Sequence, residues 1–116
     1  MYVIIVGCGK LGARVAELLS SEKHNVVVID LSKSSFARLS TEFNGITLVG
    51  NGIDINVLRE AGAEQADALV GLTDSDNANL MAAQVAREIF KIPKVIARLT
   101  LDDKQELYER LGVQVV

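Results

Sequence analysis

The sequence has few of the residues that carry redox, metal or nucleophilic chemistry, with one cysteine and one histidine among its 116 residues. The single cysteine, Cys8, excludes an internal disulfide and fits a reducing, cytoplasmic setting. No Cys/His cluster has the spacing of a metal site. No apolar run approaches the ~20 residues of a membrane helix, so we expect no direct membrane insertion. A net charge of -3 gives no overall attraction for nucleic acid.

Six short apolar runs recur along the chain and are separated by amphipathic stretches. They are Val3–Val6, Val26–Ile29, Ile46–Val49, Ala68–Leu72, Lys94–Ala97 and Val113–Val116. Because the runs are continuous and β-branched, they are typical of strands buried on both faces of a parallel sheet. The pattern βαβαβαβαβαβ predicts one α/β domain over residues 1–116, a doubly wound sheet with helices on both faces.

Helical stretches between the runs are indicated by apolar residues at helical spacing. We expect these residues to face the sheet: Leu11, Val15, Leu18 and Leu19, then Met81, Val85 and Ile89, then Leu107 and Leu111. A glycine follows three of the helical stretches, where a left-handed residue commonly ends a helix: Gly45, Gly62 and Gly112.

Three glycines, Gly7, Gly9 and Gly12, form the pattern G-x-G-x-x-G directly after the first strand. The first permits a tight turn, the second lets a pyrophosphate approach the backbone, and the third lets the helix pack closely on the sheet. The helix that follows presents free N–H groups and a positive dipole end to a phosphate. This context predicts a Rossmann-type sheet of six strands in the order 3-2-1-4-5-6.

An acid, Asp30, ends the second strand, 18 residues after Gly12. A carboxylate there can accept hydrogen bonds from both hydroxyls of an adenosine ribose, and it repels a 2′-phosphate. NAD(H), ATP, ADP and AMP are therefore favoured over NADP(H). The alternative is that Asp30 only caps a helix beginning near Ser32.

Further polar residues follow the other strands at the edge where ligands bind in doubly wound sheets. They are Lys10; Gly50, Asn51, Gly52 and Asp54; Thr73, Asp74 and Asp76; and Arg98. Lys10 and Arg98 can contact phosphate, although Lys10 is also compatible with a solvated surface charge. Asp54, Thr73 and Asp74 are equally compatible with helix caps.

Catalytic groups are scarce at this edge. His24 and Tyr2 fall at the opposite edge of the predicted sheet, and Tyr108 lies beside an apolar stripe, where packing is the usual role. Cys8 lies within the glycine turn, where a helix N-terminus can lower a thiol pKa, but that position tolerates many small residues. We therefore expect a nucleotide-binding regulatory module and not an enzyme.

Six blocks of the sequence resemble one family in their order and content. They are Tyr2–Gly12, Val26–Asp30, Leu48–Asp54, Leu72–Leu80, Val95–Arg98 and Leu111–Val116. Together they resemble the N-terminal nucleotide-binding domain of Trk/Ktr potassium-uptake regulatory subunits, called TrkA-N, KTN or RCK. The resemblance implies a cytoplasmic, non-enzymatic protein held at the inner face of the membrane by a potassium channel or transporter. It also implies homodimers, higher rings, and binding of NAD(H), ATP, ADP or AMP.

The resemblance also assigns site residues. The phosphate loop falls on Gly7, Gly9, Lys10, Leu11 and Gly12, the ribose acid on Asp30, and the adenine-side loop on Gly50, Asn51 and Asp54. Thr73, Asn79 and Arg98 complete the set, with Arg98 facing phosphate.

Two residues depart from the family pattern. Asp is more common where Asn51 stands, and Arg is more common where Lys10 stands, so a forked grip on phosphate is not expected. The family's C-terminal ligand-binding subdomain lies outside this sequence. We interpret the sequence as a piece cut at the domain boundary; the alternative is a natural short form. Two other functions stay open: the cofactor domain of an NAD-dependent oxidoreductase, and the soluble domain of a cation/proton antiporter.

Overall fold

The predicted doubly wound sheet is confirmed by the computed structural model, which describes residues 1–100 and 105–116. Six parallel strands pair in the order β3-β2-β1-β4-β5-β6. Their bounds are β1 Tyr2–Val6, β2 Asn25–Asp30, β3 Ile46–Val49, β4 Ala68–Gly71, β5 Lys94–Ala97 and β6 Gln114–Val115. From β1 the chain adds β2 and β3 on one side, and it then crosses the sheet to add β4, β5 and β6 on the other side. A crevice therefore opens at their carboxyl ends.

Helices cover both faces of the sheet. The α-helices are α1 Lys10–Ser21, α2 Ile55–Glu60, α3 Asp76–Glu88 and α4 Gln105–Arg110, and two 3-10 helices span Lys33–Arg38 and Ala63–Gln65. Helix α1 and the first 3-10 helix pack on one face of the sheet. Helices α2, α3 and α4 pack on the other face. Among the described residues, no helix is both long and apolar enough to span a lipid bilayer.

The core lies along the central strands, where Ile4, Ile5, Val28, Ile29 and Leu69 are fully buried. Burial on both faces, which the continuous apolar runs predicted, is wrong for the edge strands. In β3 only Leu48 is partly buried, and in β6 only Val115. A strand at the sheet edge has one neighbour, and the 3-10 helix beside β3 is too short to cover it.

The predicted core-facing stripes of the helices are largely wrong. Met81 and Ile89 are about half exposed, as are Leu11, Leu18, Leu107 and Leu111, whereas Val15, Leu19 and Val85 are partly buried. The buried face of α3 consists mainly of smaller residues, namely Asn79, Leu80, Ala82, Ala83 and Ala86. Small residues allow a helix to approach the sheet closely. The larger residue Met81 therefore lies on a more exposed face of α3, and Ile89, directly after the helix, is similarly exposed.

Two of the three predicted helix-ending glycines have left-handed backbones. Gly62 has φ 92° and Gly112 has φ 87°. The prediction is wrong for Gly45, whose φ is not positive and which no helix directly precedes. A Cβ at Gly45 would instead collide with the Phe43 ring and the Val26 carbonyl oxygen. That glycine is needed for close packing.

Candidate nucleotide-binding site

A cavity of about 360 Å³ opens at the carboxyl edge of the sheet, in the crevice between β1, β2, β3 and β4. Its wall is made by the loops that follow these four strands. The lining residues are Val6, Gly7, Gly9, Ile29, Asp30, Leu31, Ser35, Arg38, Gly50, Asn51, Gly52, Ile53, Leu72, Thr73, Asp74, Ser75 and Ala78. Such crevices are the usual ligand sites of doubly wound sheets.

The three glycines of the turn meet different demands. Gly7 has φ 109°, and a Cβ there would lie 2.8 Å from the Thr73 amide nitrogen. A Cβ at Gly12 would collide with the Gly7 carbonyl oxygen. Around Gly9, by contrast, no described atom lies within 4 Å of an added Cβ. Gly7 and Gly12 are required by packing, whereas the open side of Gly9 leaves room for a ligand.

Helix α1 begins directly after Gly9 and has no side-chain cap among the described residues. Its first turn therefore leaves N–H groups that an anion can accept from. The first two helical residues, Lys10 and Leu11, are exposed and do not line the cavity. They adjoin the site through the backbone of the turn.

Asp30 joins the end of β2 to the glycine turn. Its Oδ2 accepts a hydrogen bond from the Cys8 amide at 2.8 Å, and its Oδ1 accepts one from the Ser32 amide at 2.9 Å. The first 3-10 helix has Ser32 as its N-cap, without a side-chain cap bond, so Asp30 is not the helix cap that was the alternative. Each carboxylate oxygen retains acceptor capacity for a ribose hydroxyl.

Cys8 does not have the surroundings of a reactive thiol. Its side chain is fully buried. Burial raises the pKa of the Cys8 thiol, and the carboxylates of Asp30 and Glu17 add to this against a lowering by Arg38. The pKa of Cys8 is thus shifted in the direction opposite to the lowering that a helix N-terminus can cause, and burial is the main reason.

The loop after β3 separates two roles. Gly50, Asn51 and Gly52 line the cavity, and Asn51 Oδ1 accepts from the Ile53 amide at 3.1 Å, which holds the loop. Asp54 lies outside the lining and caps α2, with its Oδ1 accepting from the amides of Asn56 and Val57 at 2.7 and 3.3 Å. Of the two alternatives for Asp54, the helix cap is the one the geometry shows.

A buried asparagine links the loop after β4 to the end of β5. Asn79 Oδ1 accepts from the Thr73 amide at 2.8 Å and from the Thr73 hydroxyl at 2.7 Å. Its Nδ2 donates to the carbonyl oxygens of Thr73 and Arg98 at 3.1 and 2.9 Å. These bonds use the full capacity of the amide. Thr73 lines the cavity, whereas neither Asn79 nor Arg98 does.

Of the predicted site residues, the structure gathers six around the cavity, namely Gly7, Gly9, Asp30, Gly50, Asn51 and Thr73. Those outside the lining are Lys10, Leu11, Gly12, Asp54, Asn79 and Arg98. Arg38, which was not predicted, is the only basic side chain among the described residues that line the cavity. The sequence feature that could have indicated it is a single arginine in the segment between β2 and β3, shortly after Asp30.

Groups suited to catalysis lie away from the cavity. The Tyr2 hydroxyl donates to the Ala61 carbonyl at 2.6 Å, and His24 Nδ1 lies 3.0 Å from the N-terminal amine, both at the opposite edge. Among the described residues, no cluster of three or more His, Cys, Asp or Glu side chains is arranged to hold a metal ion. The ionisable side chains that line the cavity are Asp30, Arg38 and Asp74.

Curated proteins have sequences similar to that of this chain. The Trk system potassium uptake protein TrkA of Streptomyces coelicolor is 42% identical over 116 residues, which is 100% of this chain and 52% of that protein. The chain thus spans about half the length of the curated relatives it matches.

Two solved structures are similar as well. The Kef CTD of Shewanella denitrificans in AMP-bound form has a TM-score of 0.83 at 26% identity, covering 100% of this chain and 72% of that one. The TrkA-N domain of the inner membrane protein YbaL from Escherichia coli has a TM-score of 0.86 at 25% identity, covering 99% and 85%. A family model described as the TrkA-N domain matches residues 3–116. This chain belongs to the TrkA-N domain family.

Proposed function

We propose that this domain senses NAD(H) or an adenine nucleotide and regulates potassium uptake. The observation that carries the proposal is the placement of Asp30 beside the open side of Gly9, within one crevice of nucleotide-compatible size. Phosphates lie over the first turn of α1, the ribose binds Asp30, and the adenine lies on the loop formed by Gly50–Ile53. The AMP-bound Kef CTD, which shares this fold, supports an adenine nucleotide as the ligand.

The output of binding is a change of shape and not a reaction. The lining carries the hydroxyls of Ser35, Thr73 and Ser75 and two carboxylates, but among its described residues it has no histidine, lysine, cysteine, tyrosine or glutamate, so the usual bases that activate a hydroxyl nucleophile are not part of it. A bound nucleotide ties the β1–β2 side of the crevice to Thr73, and Asn79 carries that contact to the end of β5. Nucleotides of different length hold the two sides of the crevice at different separations and so shift the population of the domain's conformations.

The partner is an integral-membrane potassium channel or transporter, and the domain lies at the cytoplasmic face of the cell membrane through that partner. The potassium uptake protein of Streptomyces coelicolor, 42% identical, supports this. We propose a homodimer that assembles into a higher ring. Sedimentation velocity of the purified protein tests the assembly, and small-angle scattering with NADH and with ATP tests the shape change. Identical scattering with the two ligands would contradict the sensing model.

A second candidate is the soluble regulatory domain of a different membrane system, such as a cation/proton antiporter. The likeness to a TrkA-N domain of an Escherichia coli inner membrane protein favours it. Deletion of the gene separates the two candidates. Deletion of the gene is expected to slow growth at low potassium if the first proposal holds, and to leave potassium uptake unchanged if the second does.

Ligand binding is tested first by thermal unfolding with NAD⁺, NADH, ATP, ADP and AMP, each near millimolar. A ligand at 100 times its Kd adds about 2.7 kcal/mol to the free energy of unfolding. That gain corresponds to a shift of several degrees in a domain of this size. No shift with any of these ligands would overturn the proposal.

A further inference from the structure

The stretch after the ribose acid is basic and rich in hydroxyls. Residues 31–41 contain Lys33 and Arg38 and no aspartate or glutamate. Four serines lie in the same stretch: Ser32, Ser34, Ser35 and Ser40. Of these side chains, Arg38 and Ser35 line the cavity at the same end as the carboxylate of Asp30, whereas Lys33 is exposed outside the lining. A site that only had to accept uncharged ribose hydroxyls would not need this surplus of cationic and hydroxyl donors.

Arg38 and Asp30 hold the same residue of the glycine turn from two sides. Asp30 Oδ2 accepts from the Cys8 amide at 2.8 Å, and Arg38 Nη1 donates to the Cys8 carbonyl oxygen at 3.4 Å. The guanidinium is therefore next to the position that the ribose hydroxyls take on Asp30. Its contact with Cys8 is long, so it is weak and costs little to exchange for a stronger acceptor.

The guanidinium is available to a ligand. Arg38 is exposed and lines the cavity, and no described carboxylate lies within 4 Å of it as an ion-pair partner. Ser35, one turn earlier in the same 3-10 helix, also lines the cavity. A forked cation beside a hydroxyl matches the geometry of a phosphate monoester.

We propose that the ribose end of this cavity is a 2′-phosphate subsite with Arg38 as its anchoring cation, so that the domain takes NADP(H) as well as NAD(H). The proposal rests on the nucleotide function proposed above. It revises the expectation that Asp30 favours NAD(H), ATP, ADP and AMP over NADP(H). In Rossmann-type sites an arginine near the ribose accommodates the 2′-phosphate. Here the carboxylate of Asp30 is held by the amides of Cys8 and Ser32, and the guanidinium of Arg38, bonded to the same Cys8, offsets its charge.

Three small probes isolate the subsite: 5′-AMP, adenosine 2′,5′-bisphosphate and adenosine 3′,5′-bisphosphate, titrated calorimetrically into the purified protein. The 2′,5′-bisphosphate is expected to bind at least as tightly as 5′-AMP and more tightly than its 3′,5′ isomer. Arg38→Ala should weaken the 2′,5′-bisphosphate about tenfold more than it weakens 5′-AMP, because a charge-assisted bidentate contact is lost. Arg38→Ala should likewise weaken NADP⁺ about tenfold more than it weakens NAD⁺.

Arg14→Ala is the matched control, since it removes one positive charge from α1 outside the cavity. It should leave the ratio of the affinities for 5′-AMP and the 2′,5′-bisphosphate unchanged. Arg38→Gln, which removes the charge but keeps a shorter polar side chain with a hydrogen-bond donor, serves as a second variant and should show the same selective loss as Arg38→Ala. The unfolding midpoint without ligand verifies that each variant folds.

The outcomes separate this inference from the function beneath it. If 5′-AMP binds and the 2′,5′-bisphosphate binds more weakly than 5′-AMP, the subsite is refuted and the nucleotide site stands. Equal loss of both ligands in Arg38→Ala also refutes it, because Arg38 would then act on the part that they share. If no adenosine ligand binds, both proposals fail.

Discussion

Asp30 and Cys8 are joined by a hydrogen bond of 2.8 Å from the Cys8 amide to Asp30 Oδ2. The bond runs between the end of β2 and the turn after β1, two neighbouring strands of the sheet. It orients the carboxylate at the edge of the cavity before any ligand arrives. A preoriented acceptor reduces the ordering that ligand binding must otherwise impose.

Asp30→Ala is therefore expected to weaken adenosine ligands with free ribose hydroxyls, such as AMP and NAD⁺, by about 1–3 kcal/mol, because those hydroxyls lose a charged acceptor. Calorimetric titration with AMP and NAD⁺ measures the loss. Asp67→Ala is the control: Asp67 also accepts a backbone amide, that of Tyr2 at 2.7 Å, but at the opposite edge of the sheet. Unchanged affinity in Asp30→Ala would remove the ribose assignment.

Gly9 and Gly12 should respond in opposite ways to a larger side chain. Gly9→Val should leave the fold largely intact and abolish nucleotide binding, since the added atoms enter the open side of the turn. Gly12→Ala places a Cβ against the Gly7 carbonyl and should lower the free energy of unfolding by about 2–4 kcal/mol. Urea unfolding and ligand titration of both variants check this. Retained binding in Gly9→Val would mean that the phosphates lie elsewhere.

Asn79→Ala should destabilise the domain by about 2–4 kcal/mol, because buried groups of Thr73 and Arg98 lose their partner. Asn77→Ala, at an exposed position of the same helix, should change the unfolding free energy by less than about 0.5 kcal/mol. Chemical denaturation of the two variants provides the comparison. Similar values for both would show that the buried network contributes nothing.

Helix α3 offers a test of which face packs on the sheet. Leu80 is 5% exposed and Met81 is 50% exposed, although they are neighbours in sequence. Leu80→Ala should cost about 2–4 kcal/mol through loss of buried surface and the cavity left behind. Met81→Ala should cost less than about 1 kcal/mol in the monomer. Unfolding at low protein concentration measures both, and a reversed order would restore the stripe that the sequence predicted.

Cys8 should be protected from alkylation in the folded protein. Its thiol is buried and its pKa is raised, so we expect iodoacetamide to react at least about a hundredfold more slowly than with the unfolded chain. Reaction rates at pH 8, with and without urea, provide the measurement. Rates that match would contradict both burial and the raised pKa.

The same shift gives a pH dependence of stability. A folded-state pKa above the unfolded value stabilises the fold fully below about pH 8.5. That contribution is lost as pH rises through the folded-state pKa. The urea midpoint should therefore fall with rising pH more steeply in the wild type than in Cys8→Ala.

Much of the site was predictable because its residues follow strands directly. Asp30 ends a strand, and Gly7, Gly9, Asn51 and Thr73 lie within three residues after one. The ends of these strands meet at one edge, so chain order alone places the five residues there. Arg38 was not predictable in this way, because it follows no strand. It reaches the cavity only through the path that the 3-10 helix takes back across the end of β2.

The sequence by itself determined the order of the strands, the parallel sheet and the edge at which the cavity opens, because local periodicity and the glycine turn encode these features. Only the tertiary structure decided which helix faces are buried, since close approach over alanines outweighs the spacing of larger residues. It also decided that Asp54 caps α2 and that Asn79 is saturated by protein partners. Hydrogen-bond partners depend on distances between elements far apart in sequence, and residue order does not specify those distances.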